Sequence, residues 1–343
     1  MKLIIQIPCL NEAGTLGIAL SKLPRRVEGF DVVEWLVIDD GSTDGTADVA
    51  QACGVDHVVR HTRNRGLARA FMTGLDACVA RGADVIVNTD ADDQYDAAYI
   101  PALTAPVIAG EADIVVGARP IQAIAHFSPV KKALQALGSW VVRVASRTAV
   151  PDAPSGFRAM SREAAMELVV FNDYTYTLET IIQAGQKDMG VASVAVGVNA
   201  DLRPSRLFKS VRAYVQRSIS TIIRIFAVYR PFQFFSTIGL VLSGFGVLLG
   251  ARFLYFFSQG QGQGNVQSLI LVAILVIMGF QSFLTAFVAD LLAANRKLSE
   301  DIRTTLRRQA FASAQEAQRP EARPDRDEVF DAVRRELRMP RAG

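Results

Sequence analysis

Val87-Asn88-Thr89-Asp90-Ala91-Asp92-Asp93-Gln94 is an apolar run that ends in three carboxylates and an amide. Asp84 to Asn88 reads as a short buried strand, and Thr89 to Gln94 as the turn at its C-terminal end. Open α/β sheets place their ligands at such strand ends. Asp90 and Asp92 are two residues apart, so on extended backbone both side chains point the same way. Two like charges side by side call for something positive between them. A hard divalent cation answers that call through oxygen ligands and keeps sites for substrate phosphates. The plain alternative is a solvated acidic turn.

Working outward, Lys2–Ile7, Val32–Ile38, Val55–Arg60 and Asp113–Val116 are further short apolar, β-branched runs. Helical patterns separate them: Asn11 to about Leu23, a Ser/Thr/Asp-capped segment to Ala52, Asn64 to about Ala80, and Ala97–Ala109. Pro8 reads as the stop of the first strand. Strand and helix in alternation predict a parallel sheet covered on both faces. The polar clusters Asn11-Glu12, Asp39-Asp40, the acidic turn and Arg119 each follow a strand. Connection rules bring those ends to one edge, and so to one cleft. There is no G-x-G-x-x-G after the first strand and no G-x-x-x-x-G-K-[ST], which argues against a dinucleotide fold or a P-loop.

Four segments carry a family resemblance: Ile7-Pro8-Cys9-Leu10-Asn11-Glu12, Val37-Ile38-Asp39-Asp40-Gly41-Ser42-Thr43-Asp44-Gly45-Thr46, Asn64-Arg65-Gly66-Leu67 and Asp90-Ala91-Asp92-Asp93-Gln94. In this order they resemble family 2 glycosyltransferases, and most of all the polyprenyl-phosphate (dolichyl-phosphate-type) sugar transferases. The resemblance covers roughly residues 1–230. It implies a GT-A catalytic domain that uses a nucleotide-sugar. Pro8, Asn11 and Glu12 would line the nucleotide pocket, and Asp40 with Asp39 would contact base or ribose. Arg65, Ala91 and Arg119 are placed with the nucleotide. Asp90, Asp92 and Gln94 would hold Mg²⁺ or Mn²⁺ under the diphosphate. Each has a bland alternative: turn or cap residues for Asp39, Ser42 and Thr43, solvated helix residues for Arg65 and Arg69. For Asp44 the cap reading is preferred, and Asp93 reads as solvent-facing, not as a ligand.

Further along, helices are expected over Val130–Ala145, after Ser161 to Leu168, and over Tyr174–Ala184, with a strand over Val191–Val198. Ser155-Gly156-Phe157-Arg158 resembles the family's segment near donor sugar and acceptor, which places Arg158 at the site; otherwise it is a structural ion-pair partner. Glu179 joins the catalytic candidates, together with Asp92, Arg158, Arg203 and Arg206. A hydroxyl acceptor needs a general base. A phosphate monoester, with a second pKa near 6 by analogy with phosphoserine, does not. Glu179 is therefore expected to orient sugar hydroxyls or pair with an arginine. Asp201-Leu202-Arg203-Pro204-Ser205-Arg206-Leu207 resembles the branch's juxtamembrane segment, and guanidiniums there suit a lipid phosphate.

Composition fits this layout. Half of the 343 residues are hydrophobic, and the surplus collects after residue 230. A net charge of +3 is too mild to argue for nucleic acid. Three cysteines without metal spacing suggest buried thiols in a reducing compartment. The chain opens directly on a strand-like run, which argues against a secretory leader. Leu207 to about Tyr229 is a basic amphipathic helix suited to a membrane interface. Phe232–Ala251 and Leu269–Ala289 are each about one bilayer span. Arg217, Arg224 and Arg230 flank one end and Arg296, Lys297, Arg303, Arg307 and Arg308 the other, which places both termini in the cytoplasm.

The expected fold is α/β: a GT-A, Rossmann-like, mostly parallel catalytic domain (1–204), an amphipathic interface helix (205–230), a transmembrane hairpin (231–292) and a flexible cytoplasmic tail (293–343). The expected activity is inverting transfer of a hexose from a UDP- or GDP-sugar to polyprenyl phosphate at the cytoplasmic membrane. Expected partners are the nucleotide-sugar, the lipid acceptor and the membrane, with self-association through the spans and no nucleic acid. One rival is a transferase acting on a hydroxyl. Processive synthases of that kind usually carry Q-x-x-R-W, and the only tryptophans here are Trp35 and Trp140. The other rival is a non-catalytic membrane scaffold.

Overall fold

The structure is a computed structural model that describes residues 1–120, 129–170, 176–199, 211–260 and 266–318. The expected strands and helices appear in order: β1 (Lys2–Cys9), α1 (Ala13–Lys22), β2 (Val32–Asp39), α2 (Thr46–Ala52), β3 (His57–Arg60), α3 (Leu67–Ala80) and β4 (Val85–Asn88). A 3-10 turn (Ala97–Tyr99), α4 (Ile100–Ile108), β5 (Ile114–Ala118), α5 (Pro129–Ser146), β6 (Arg158–Ser161), α6 (Arg162–Glu167), α7 (Thr177–Gln186) and β7 (Val191–Ala195) follow. The seven strands form one sheet in the order β3-β2-β1-β4-β6-β5-β7. All neighbours are parallel except β6, which runs antiparallel to both β4 and β5.

Leu3, Ile5, Ile7, Val37, Val85, Val87 and Val115 join Leu16, Leu20, Ile100, Leu103 and Phe157 in the core. These strands read as continuous apolar runs because helices cover both faces of the sheet. The chain leaves β1 toward β2 on one side and returns to β4 on the other, so a crevice opens at the carboxyl ends of β1 and β4. Register levels those ends: Gln6 lies opposite Asn88, and Cys9 opposite Asp39.

Two details depart from the sequence reading. Pro8 does not stop β1; it pairs with Ile38 inside the strand. Its missing N–H faces β4, where the ladder has already ended at Gln6–Asn88, so no bond is lost. β6 was not anticipated. Its four residues, Arg-Ala-Met-Ser, are too short and too mixed to show a period.

Beyond the sheet come α8 (Val211–Tyr229), α9 (Pro231–Ser258) and α10 (Val266–Gln318). Arg230 breaks the helix (φ −136°, ψ 51°) and Pro231 opens the next one. α9, 28 residues long, spans about 42 Å and exceeds the expected Phe232–Ala251. α10 continues past the expected end at Ala289 to Gln318, so helix occupies the first part of the expected tail. No proline or glycine interrupts residues 280–318, and the first proline beyond is Pro320. Both helices are long and apolar enough to cross a membrane. They approach closely: a Cβ on Gly239 would lie 2.9 Å from the Gly279 carbonyl. Small residues serve this way where helices pack in lipid. Leu240, Leu248, Phe280 and Leu291 point outward, each at least 60 % exposed.

Candidate active site

Three loops and one turn meet at the carboxyl edge of the sheet. After β1, Asn11 adopts a left-handed conformation (φ 54°), which asparagine tolerates better than most residues. Its Oδ1 accepts from Thr43 N at 2.9 Å, and its own N–H donates to Ser42 Oγ at 2.9 Å. Glu12 N donates to Thr46 Oγ1 at 2.9 Å, and the Glu12 carboxylate accepts from Thr15 Oγ1 at 2.8 Å. The loops after β1 and β2 are thus laced into one wall.

After β2, the two neighbouring aspartates do different things. Asp40 is nearly fully buried and accepts from Arg65 N at 2.9 Å, Gly66 N at 2.8 Å and His61 Nδ1 at 2.6 Å. It holds the loop after β3. Asp39 is wholly buried; Oδ1 accepts from Ser42 N at 2.8 Å, and Oδ2 lies 3.1 Å from Arg60 Nε without a hydrogen bond. Gly41, directly after them (φ 77°), is pressed onto the Arg63–Asn64 backbone, where a Cβ would lie 2.5 Å from the Arg63 carbonyl carbon. The Arg65 side chain is exposed. Asp44 accepts from Ala13 N and Thr46 N, both at 3.1 Å, the cap role expected for it.

After β4, Asp90 and Asp92 are each half-buried, with Ala91 buried between them. Burial pushes the Asp90 carboxyl up to about 7, the Asp92 charge adds to this, and Arg119 and Arg158 oppose it. Among the described residues no three His, Cys, Asp or Glu side chains converge as a complete metal cage. Two neighbouring carboxylates fit a hard divalent cation, whose remaining oxygen ligands would be supplied by substrate and water. Gln94 lies beside them, with Oε1 accepting from Arg119 Nη1 at 3.3 Å. Asp93 corrects the solvent-facing expectation: it is buried, pairs with Lys22, and accepts from Asn199 Nδ2 at 3.3 Å.

The two arginines sit behind the carboxylates. Arg119 is forked onto Asp152, with Nε donating at 2.7 Å and Nη2 at 3.1 Å. Burial opposes its charge, but Tyr95, Asp152 and Asp90 outweigh that and raise its pKa. Arg158 is 1 % exposed and donates to Ser155 O at 2.9 Å, Ala153 O at 2.8 Å and Thr180 Oγ1 at 2.5 Å. Burial pulls it down to about 10, so it stays charged at neutral pH. Its guanidinium therefore acts on the site through its field and through the loop it holds. Asn88 forms the floor, donating to Gly156 O at 2.8 Å and Tyr176 Oη at 2.9 Å and accepting from Gln6 Nε2 at 2.9 Å. A Cβ on Gly156 would lie 3.1 Å from Asp90 Oδ2 and 2.9 Å from Tyr176 Oη.

Glu179 lies on α7 and accepts from the Tyr229 hydroxyl at 2.7 Å, toward the corner where α8 meets α9. Arg203 and Arg206 lie outside the described residues. The sequence reading missed Asp152, His61, Asn88 and Tyr176. His61 alone carried a signal, a polar residue directly after a strand. Asp152 is 33 positions from Arg119, with nothing in the sequence to join them.

The family model for glycosyl transferase family 2 matches residues 4–169. An uncharacterized glycosyltransferase of Mycobacterium tuberculosis is 33 % identical over 194 residues, 56 % of this chain and 83 % of that protein. The chain belongs to glycosyl transferase family 2. It is a glycosyltransferase with a GT-A catalytic domain. Another family relative is the undecaprenyl-phosphate mannosyltransferase of Micrococcus luteus, 32 % identical over 165 residues, 46 % of this chain and 66 % of that protein. In fold the chain is similar to glucosyl-3-phosphoglycerate synthase from Mycobacterium tuberculosis, solved with Mn²⁺, UDP and phosphoglyceric acid. That likeness has a TM-score of 0.52 and 21 % identity over 66 % of this chain and 78 % of the other.

Proposed function

We propose that this family 2 glycosyltransferase moves a hexose from a nucleoside-diphosphate sugar to polyprenyl phosphate at the cytoplasmic face of a membrane. The observation that carries the reading is the crowded Asp90–Asp92 pair at the end of β4, in a chain that continues into two helices of membrane length. The similarity to an undecaprenyl-phosphate mannosyltransferase supports the acceptor class.

Asp39, whose Oδ2 is buried without a hydrogen bond, is the acid for ribose or base, and Asp40 keeps the loop after β3 in place beside it. Pro8, Asn11, Glu12, Arg65 and Ala91 are assigned to the nucleotide from the sequence resemblance. Asp90 and Asp92 are the protein ligands of Mg²⁺ or Mn²⁺, with Gln94 beside them. That ion supplies charge neutralisation for the leaving diphosphate. Arg119 and Arg158 hold Gln94 and the Ala153–Ser155 loop, and they temper the negative field at Asp90. The acceptor phosphate oxygen forms a bond to the anomeric carbon from the face opposite the leaving diphosphate, whose bond breaks with its electron pair. The stereochemistry inverts in this single displacement. A phosphate acceptor is already ionised near neutral pH, so no protein base is required. Arg203 and Arg206 are assigned to the lipid phosphate from sequence alone.

The test is a panel of UDP- and GDP-sugars with purified protein, undecaprenyl phosphate and Mg²⁺ or Mn²⁺. One donor should give a glycolipid that is labile to mild acid and stable to mild alkali, and chelation should stop it. Transfer only to free hydroxyl acceptors would overturn the acceptor assignment.

A further inference from the structure

Tyr229 closes α8, and the chain turns at Arg230 into the first apolar helix. A polar knot gathers at this corner. The Tyr229 hydroxyl donates to Glu179 Oε1 at 2.7 Å, and Gln186 Nε2 donates to the Tyr229 carbonyl at 3.4 Å. The Arg296 guanidinium of α10 stands 4.4 Å over the Tyr229 ring, with its Nε 3.4 Å from Glu300. Arg230 Nη2 donates to the Val144 carbonyl at the end of α5 at 3.2 Å. Both apolar helices are thereby tied to α7 at one residue.

The first turn of α7 faces two ways. Glu179 points to the knot. One residue on, Thr180 Oγ1 takes Arg158 Nη1 at 2.5 Å, and Arg158 holds the Ser155 and Ala153 carbonyls. Three residues back, the Tyr176 hydroxyl takes Asn88 Nδ2 at 2.9 Å and presses on Gly156, which itself abuts Asp90. Thr180, Arg158, Tyr176 and Asn88 are each nearly fully buried. A close-packed interior passes a small displacement on instead of absorbing it.

We propose that Tyr229 is a positioning residue: its hydrogen bond to Glu179 couples the seating of α9 and α10 to the Ala153–Arg158 floor beneath Asp90. The link serves to keep the floor in its working position only when the apolar helices are seated. The kinetic arm of its test rests on the transfer reading above; the exchange arm does not.

The experiment uses the full chain in phosphatidylethanolamine–phosphatidylglycerol nanodiscs and compares wild type with Tyr229→Phe, which keeps the ring under Arg296. Glu179→Gln, which keeps an acceptor oxygen, is the conservative control. Tyr229→Phe should raise amide hydrogen exchange over residues 153–158 about fivefold and lower kcat on undecaprenyl phosphate about tenfold, with UDP affinity unchanged. Glu179→Gln should keep exchange over residues 153–158 close to wild type. Unchanged exchange over 153–158 in Tyr229→Phe, or a rise confined to α8, overturns the coupling. Should wild type transfer no sugar from any donor, the transfer reading fails, and the exchange result still decides the coupling.

Discussion

The loop after β2 and the turn after β4 are both rich in aspartate, and they use it in opposite ways. On the β2 side two of the carboxylates are answered by the protein itself: Asp40 by two backbone N–H groups and His61, Asp44 by the starts of two helices. On the β4 side burial and then the neighbouring Asp92 charge disfavour the Asp90 carboxylate, and two buried arginines only temper the effect. Acids answered by amides build a loop. A buried acid with a second acid beside it holds electrostatic energy that a bound cation would release.

Removing an acid from each region should separate the two uses. Asp92→Ala should cut glycolipid formation by at least about 100-fold, the scale of losing one preorganised electrostatic group. Its thermal unfolding in detergent should stay at the wild-type temperature. Full transfer by this variant would defeat the metal assignment. Asp40→Ala should do the reverse and damage the fold first. It removes the acceptor of the part-buried Arg65 N–H and of His61 Nδ1 and one of the two acceptors of Gly66 N–H, at a cost of about 2 kcal/mol. The check is its unfolding midpoint, which should fall well below that of Asp92→Ala; equal midpoints would erase the contrast.

This contrast was only half legible in the sequence. Strand–helix alternation and the polar residue after each strand located the cleft, because both are local patterns. Which acid is spent on structure was not legible. Asp39 and Asp40 are neighbours with the same flanks, and only the return of β3 and its loop gives Asp40 its three donors. Arg158 shows the same limit. Its motif marked it for the site, yet the antiparallel insertion of β6 between β4 and β5 carries its guanidinium behind the floor. The apolar helices were legible as spans. Their lengths were not, since helix propensity carries α10 on to Gln318 after the hydropathy ends.

A change of pH sharpens the β4 side. In the folded chain Asp90 keeps its proton to about pH 7, whereas an unfolded aspartate releases it near pH 4. The folded state therefore binds more protons between those values, and metal-free stability should fall as pH rises through that window, then level off. Mn²⁺ needs the ionised pair, so it should raise the unfolding temperature strongly at pH 8 and hardly at pH 5. Asp90→Asn should flatten the metal-free profile. Equal Mn²⁺ stabilisation at both pH values would show that the ion binds elsewhere.

The smallest effect belongs to Asp44, and its sign is opposite to that of Asp90. Burial works against the Asp44 charge, but hydrogen bonds from Thr46 and from Ala13 N outweigh it and hold the carboxyl below its usual range. Its stabilising contribution is present above the unfolded pKa and is lost as pH falls through the lower folded value. The side chain is exposed, so solvent screens most of the charge, and what remains is a cap worth about 1 kcal/mol. Asp44→Ala should lower the unfolding midpoint slightly at pH 7, and the gap to wild type should close in acid as the wild-type carboxyl protonates. UDP affinity should follow stability and nothing more. A loss of UDP affinity with the midpoint unchanged would move Asp44 from the scaffold of the loop to the ligand, and would make the β2 side more like the β4 side than its hydrogen bonds indicate.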